Sequence, residues 1–260
     1  VVWFKVLMKP KRCENIEDKN GWIYQYKFDG SRVVINRDKG GFEIKTTRGL
    51  KKNKQLPEIT LNTLNNFISS DSYTIDGEIV DTRGFNKLIQ RLHTENEFKI
   101  KMYAKDSHIK IYIFDILELN GEDLRSLPLE RRLAILGEIS KKTAFLETAQ
   151  VFRKPIFEEA VAQGYEGIVA KKLSSSYKKG KRPEWLKQKV SFTEDVRVLG
   201  HEAGKDTGTF ITENGRVNCP SHKVLETYRT KKPTHLEVSF QEKTENGYRF
   251  PVLERLRWKD

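Results

Sequence analysis

From residue 22 to residue 29 the chain alternates without a break, with Trp22, Tyr24, Tyr26 and Phe28 on one parity and Ile23, Gln25, Lys27 and Asp29 on the other. Successive side chains of a strand point to opposite faces, so the pattern predicts a strand with an aromatic face for a core and with Lys27 and Asp29 together on the other face. Gly30 permits a turn. The β-branched Val33, Val34 and Ile35 predict that the strand resumes with Arg32 on the lysine's side. Asp38-Lys39-Gly40-Gly41 then marks a hairpin before a second strand at Phe42-Glu43-Ile44-Lys45-Thr46.

Further on the period lengthens. Ile59, Leu61, Leu64, Phe67 and Ile68 line one face of a helix that Pro57 is expected to open. Residues 73–80 predict a strand with Asp76 and Glu78 on one face. Phe85, Leu88, Ile89 and Leu92 predict a helix, and residues 111–117 an apolar strand carrying Phe114 and Asp115 ahead of an Asn120-Gly121 turn. Leu129, Leu133, Leu136 and Ser140 share the stripe of a helix started by Pro128, with Glu130 where the helix dipole favours an acid. A short helix over residues 157–163 stops at Gly164. Glu166 to Lys171 predicts a buried strand, the Ser-, Lys- and Gly-rich residues 174–182 an exposed mobile loop, and residues 185–190 a strand with Lys187 and Lys189 on one face. Ahead of all this, Trp3, Phe4, Val6 and Leu7 predict an ordered lead-in over residues 1–20. After Val190 come five short strand candidates, at residues 196–200, 207–211, 216–219, 235–240 and 248–258, with one helix opened by Ser221; that count suits a small barrel of the kind that binds oligonucleotides.

Composition narrows the partner. A chain of 260 residues with 37% hydrophobic content supports two unequal domains. The formal net charge of +12 points to a polyanion, for which nucleic acid is the commonest candidate. No run of apolar residues approaches membrane-spanning length, so a soluble protein with no membrane partner is expected, most simply cytoplasmic. Cys13 and Cys219 stand in no zinc pattern, and His93, His108, His201, His222 and His235 have no ligand spacing. A P-loop is excluded because Gly204-Lys205 is followed by Asp206.

Lysines and carboxylates on separate strands remain. Lys27-Phe28-Asp29-Gly30-Ser31-Arg32, Asp76-Gly77-Glu78, Phe114-Asp115, Glu166-Gly167-Ile168-Val169-Ala170-Lys171 and Lys187-Gln188-Lys189 follow one another in an order that resembles the covalent nucleotidyltransferases, and most closely the ATP-dependent DNA ligases. The resemblance covers nearly the whole chain. It implies an α+β protein: a nucleotidyltransferase (adenylation) domain over residues 1–189, ATP-grasp-like, with antiparallel sheets and packed helices, then a small OB-fold β-barrel over residues 190–260.

The chemistry implied is nick sealing in duplex DNA. A lysine amine attacks the α-phosphorus of ATP, the AMP passes to a 5′-phosphate, and the neighbouring 3′-hydroxyl displaces it. A lysine at its ordinary pKa of about 10.4 is protonated near neutrality, so attack requires a lowered pKa or a proton acceptor. By resemblance Lys27 is the nucleophile, Asp29 assists sealing, Arg32 and Glu78 hold the ribose, Phe114 stacks on adenine, and Lys187 and Lys189 meet the α-phosphate. Glu166, and also Glu78, would meet Mg2+ or Mn2+, and Arg48 of Thr47-Arg48-Gly49 the 5′-phosphate of the nick. Core packing is the alternative for Phe114, whose strand is apolar throughout, and a solvated charge the alternative for Arg48.

Two departures from the family pattern stand out. Gln25 occupies the position where many relatives carry a base-reading Glu, although its oxygen still accepts a hydrogen bond. The chain ends Arg255-Leu256-Arg257-Trp258-Lys259-Asp260 with the last two charges exchanged, so Arg257 and Lys259 are the candidates for orienting pyrophosphate. A monomer gripping nicked double-stranded DNA is expected. With no large N-terminal DNA-binding domain and no room for a long clamp loop, encirclement would be weak or partial. The alternatives are an RNA ligase, a GTP-using mRNA capping enzyme, or a non-catalytic OB-fold nucleic-acid-binding protein; the zinc cysteines of NAD-dependent ligases are absent.

Overall fold

Aromatic and β-branched runs set the strands, and side-chain caps set most helix starts. The structure, a computed structural model, describes residues 5–245 and 247–258; the expectations for Trp3, Phe4 and Lys259 lie outside the described residues. The chain is a mixed α/β fold built largely of antiparallel sheets, and its contacts divide it into one unit through Gln188 and another from Lys189.

In chain order the first unit contains β1 (Met8–Arg12), β2 (Trp22–Lys27), β3 (Ser31–Asp38), β4 (Gly41–Thr46), α1 (Leu61–Phe67), β5 (Tyr73–Asp81), α2 (Phe85–His93) and α3 (Glu97–Lys105). These are followed by β6 (Ile109–Leu119), β7 (Glu122–Asp123), α4 (Leu129–Ile139), β8 (Leu146–Thr148), α5 (Phe157–Ala162), β9 (Gly167–Lys172) and β10 (Gly180–Lys189), whose last residue falls in the second unit. One sheet runs β4-β3-β5-β6-β7, with β8 parallel against β6; the other runs β1-β10-β9-β2. Ile35, Ile75, Ile113 and Leu64 sit in the main core between the first sheet and its helices. A smaller cluster of Met8, Val34, Leu117, Tyr177 and Trp185, with Phe114 against it, joins residues from both sheets.

Three local expectations need correction, and one helix, α3, is not foreshadowed in the sequence pattern. The first helix opens at Leu61, not Pro57, because the Thr60 hydroxyl accepts from the Thr63 amide at 3.2 Å and supplies a cap that proline cannot. The α3 helix carries only one buried residue, Ile100, so it left no apolar stripe to read; Asn96 caps it through Lys99. Residues 174–182 are not a wholly exposed loop, since Ser175 and Tyr177 are buried and β10 begins at Gly180. In β2, Ile23 and Gln25 are as buried as the aromatic parity, because β2 is covered on both faces.

The second unit contains β11 (Phe192–Glu202), β12 (Thr209–Thr212), β13 (Gly215–Asn218), α6 (His222–Lys231), β14 (His235–Phe240), β15 (Glu242–Thr244), β16 (Gly247–Arg249) and β17 (Val252–Arg257). Its sheet runs β13-β12-β11-β14-β17, antiparallel at every pairing. Register shifts at Val198/Gly200 and Glu237/Val238 insert bulges that bend it over Val196, Phe210, Leu236 and Leu225. Ser221 caps α6. The strand expected over residues 248–258 is split: Phe250 adopts φ 52°, and Pro251 has no N–H to give a ladder. Among the described residues no helix is long and apolar enough to cross a membrane.

Candidate active site

The pleat of β2 separates a core face from a cavity face. Tyr26 stacks on Tyr165 at 4.0 Å between centroids and Phe28 on Tyr112 at 3.9 Å. Gln25 and Lys27 line a cavity of about 190 Å³ together with Arg32 of β3, Glu78 of β5 and Phe114 of β6. Lys171 of β9, and Trp185 and Lys187 of β10, line it too. Register explains the gathering: Lys27 pairs with Gly167 and Gln25 with Val169, while Arg32 lies opposite Glu78. Gly30 makes the turn possible, because a Cβ there would run into the Ile79 carbonyl oxygen.

The Lys27 ammonium is ion-paired with the Glu166 carboxylate, whose side chain is only 4% exposed. The Glu166 amide also donates to the Lys27 carbonyl at 3.1 Å, which ties the two backbones together. The arrangement gives the lysine an adjacent proton acceptor. Desolvation pushes the Glu78 carboxyl up to about 8, against the pull of Lys27 and Arg32 and with a push from Glu166 and Asp76. Arg32 is clamped by Asp76 through Nε to Oδ1 at 2.9 Å and Nη2 to Oδ2 at 2.5 Å. Gln25 donates from Nε2 to the Ala149 carbonyl at 3.4 Å. Phe114 serves the core and the cavity at once: it is half-buried, lies 6.2 Å edge-on to Trp185, and forms part of the cavity wall.

Other candidates are not among the residues that line this cavity. Asp29 is half-buried in the β2–β3 turn, and Arg48 is exposed in the turn after β4. Lys189 belongs to the second unit, where its Nζ lies 5.4 Å from the Phe250 ring centroid. Arg257, also of the second unit, is ion-paired with Glu237.

Lys171 and Tyr177 are functional candidates that the sequence pattern does not single out. Strand parity with Val169 was the available signal for Lys171, once β9 is paired with β2. Its Nζ lies 4.2 Å from the ring centroids of both Phe114 and Trp185 and donates to the Phe114 carbonyl at 3.4 Å. Burial lowers its pKa to about 7, against the opposing pull of Asp115 and Asp76. Above that pH the folded chain holds one proton fewer than the unfolded chain, until the unfolded lysine titrates at about 10.4. Stability from this group therefore rises with pH across that window. Lys171→Met is expected to be more stable than the wild type at pH 6 by roughly 1–3 kcal/mol, with the gap closing toward pH 10. Urea unfolding of both proteins across the range checks this, and a gap independent of pH would refute it.

Fold and cavity define a two-unit α/β protein whose first unit sets one lysine among carboxylates, a clamped arginine and an aromatic wall. The profile of the ATP dependent DNA ligase domain family matches residues 7–189, and the chain belongs to that family. It is 31% identical to a DNA ligase of Methanothrix thermoacetophila over 207 residues, covering 75% of this chain and 37% of the relative. It is 32% identical to DNA ligase 1 of Methanosarcina acetivorans over 243 residues, covering 78% and 40% respectively. The chain thus spans less than half the length of these curated relatives. Among solved structures, a Lig E DNA ligase superposes over 96% of this chain and 98% of its own, with a TM-score of 0.73 at 18% identity. The bacteriophage T7 ATP-dependent DNA ligase in complex with ATP does so over 98% and 99%, with a TM-score of 0.55 at 18% identity.

Proposed function

We propose that the protein seals nicks in duplex DNA with ATP through a lysyl-AMP intermediate. The observation that carries the reading is the Lys27–Glu166 ion pair at the wall of a cavity that also holds Arg32, Glu78, Phe114 and Lys187. In the first step a proton passes from Lys27 toward Glu166, the Nζ–phosphorus bond forms at the α-phosphate, and the bond to the departing pyrophosphate breaks. Arg32 and Glu78 orient the ribose, Phe114 stacks on the base, Gln25 accepts from the adenine amino group, and Lys187 and Lys189 offset α-phosphate charge. A 5′-phosphate oxygen then takes the AMP from Lys27, with Arg48 on that phosphate. Finally the 3′-hydroxyl displaces AMP with help from Asp29, while Arg257 and Lys259 serve the first step by orienting pyrophosphate.

Among the described residues no group of three or more His, Cys, Asp or Glu is arranged to hold a metal alone. Magnesium characteristically takes one or two carboxylates together with substrate phosphates and water. Glu78 and Glu166, both beside Lys27, fit an ion that arrives with the nucleotide. Mg2+ or Mn2+ held there would withdraw charge from the phosphates.

In this reading residues 1–189 form the adenylation domain, a nucleotidyltransferase of ATP-grasp-like type, and residues 190–260 an OB-fold. The protein acts as a soluble, cytoplasmic monomer on nicked double-stranded DNA. The test is incubation with α-labelled ATP or GTP, followed by sealing of a singly nicked duplex and of an RNA-containing one. A labelled adduct with ATP and sealing of the DNA nick are expected; an adduct with GTP alone, or none, would overturn the reading. With a net charge of +12 the grip on DNA is electrostatic, so affinity is expected to fall by on the order of tenfold or more between 50 and 200 mM salt. A binding isotherm that is flat across that range would contradict it.

A further inference from the structure

Between β9 and β10 the chain reads as a polar connection, yet one of its side chains enters the buried polar layer beneath the cavity. Tyr177 is 5% exposed. Its hydroxyl donates to Asp76 Oδ2 at 2.5 Å and accepts from Arg32 Nη2 at 3.0 Å. The ring stands edge-on to Trp185 at 5.8 Å, with the Arg132 guanidinium 5.7 Å from its centroid. The backbone is tied down separately, Tyr177 donating to the Arg125 carbonyl at 2.8 Å and Ser175 accepting from the Leu129 amide at 2.8 Å. Burial and Asp76 push the phenol well above its ordinary pKa, so it remains a donor throughout the neutral range.

Counting donors shows what this does to Arg32. Of the five N–H groups of a guanidinium, Asp76 takes two, Tyr177 one and the Met8 carbonyl one, the last at 2.6 Å. A single N–H on Nη1 is left for a ligand in the cavity, and its direction is fixed by the three anchors together. Asp76 and Met8 come from sheet strands. Tyr177 comes from a connecting segment, so the aim of Arg32 depends on whether that segment is seated.

We propose that Tyr177 is a positioning residue for the nucleotide: its hydroxyl fixes the Arg32 guanidinium, and so couples the seating of residues 173–179 to binding of the ribose. The inference rests on the reading of the cavity as the ATP site. Tyr177→Phe keeps the ring against Trp185 and Arg132 but removes the hydroxyl, freeing one Arg32 N–H and one Asp76 acceptor position. The guanidinium then has two anchors instead of three. The ribose contact weakens while the reacting centre at Lys27 is untouched.

The experiment measures initial rates of lysyl-AMP formation in the full chain with ATP and with 2′,3′-dideoxy-ATP. In Tyr177→Phe the KM for ATP is expected to rise by roughly tenfold, the scale of one lost hydrogen bond to a charged group, with kcat nearly unchanged. The preference for ATP over the dideoxy nucleotide is expected to fall by a similar factor, which a merely structural role would not produce. In the wild type, ATP is expected to slow tryptic cleavage after the exposed Lys178 and Lys179, a readout that does not depend on how well the variant folds. An unchanged KM and unchanged ribose preference in Tyr177→Phe, or cleavage indifferent to ATP, overturns the role of Tyr177 alone. A wild-type protein that forms no adduct overturns the reading of the cavity itself, and this proposal with it.

Discussion

Lys27→Ala is expected to abolish the nucleotide adduct, lowering its rate of formation by on the order of a thousandfold or more, since nothing else in the cavity replaces a missing nucleophile. Lys171 is the nearest rival by chemistry, because its lowered pKa leaves a fraction of amine near neutrality. It is only 3% exposed, however, and its Nζ is held over the Phe114 and Trp185 rings and donates to the Phe114 carbonyl, so its amine is tied to the cavity wall and not presented to a phosphorus. Alanine also leaves the buried Glu166 carboxylate without its ion-pair partner, and some loss of stability accompanies the loss of chemistry. Lys27→Arg separates the two effects. Arginine stays protonated and is no nucleophile, but it preserves a cation for Glu166. It is expected to restore most of the thermal stability and none of the adduct. Acid-labile label on Lys27→Arg at the wild-type rate would place the nucleophile elsewhere.

Much of the cavity could be read from the chain because its members sit at fixed parities on strands. Gln25 and Lys27 follow from the alternation with Tyr24 and Tyr26, and Arg32 from the resumption of the strand after Gly30. Glu78 follows from its pairing with Asp76 across Gly77, where an added Cβ would lie 2.7 Å from the Tyr112 carbonyl oxygen. What could not be read depends on partners remote in sequence. Tyr177 meets Asp76 across 101 positions, so its burial leaves no trace in the Ser- and Lys-rich residues around it. Lys171 reads as the charged end of an apolar strand until Phe114 and Trp185 are brought over it. The missed helix α3 is a failure of another kind: with Phe98 and Met102 exposed and only Ile100 buried, its order comes from the Asn96 cap more than from an amphipathic face. The division of the last strand at Phe250 was legible in principle, since Pro251 was in plain view.

Asp115→Ala is expected to destabilise the first unit by about 3–5 kcal/mol, the scale for removing one partner of a buried ion pair. Asp115 and Arg132 are both fully buried and meet through two parallel bonds, Nε to Oδ1 at 2.7 Å and Nη2 to Oδ2 at 2.9 Å. Take away the carboxylate and the guanidinium of α4 remains in the interior with no anion, held by the carbonyls of Leu127 and Ser175 and the ring of Tyr177. A double replacement, Asp115→Leu with Arg132→Met, removes both charges and is expected to be distinctly less destabilised than Asp115→Ala. Urea unfolding of Asp115→Leu, Arg132→Met and their double gives the coupling directly; singles that add to the double within a few tenths of a kcal/mol would show that the pair is not coupled. The same pair reaches the cavity by two routes. Asp115 follows Phe114 in β6, so its loss loosens the aromatic wall. Arg132 holds the Ser175 carbonyl at 3.1 Å, two residues before Tyr177, so a displaced guanidinium unseats the segment that aims Arg32. Asp115→Ala is therefore expected to raise the KM for ATP even at a temperature where the variant is fully folded, and an unaltered KM there would confine the pair to stability.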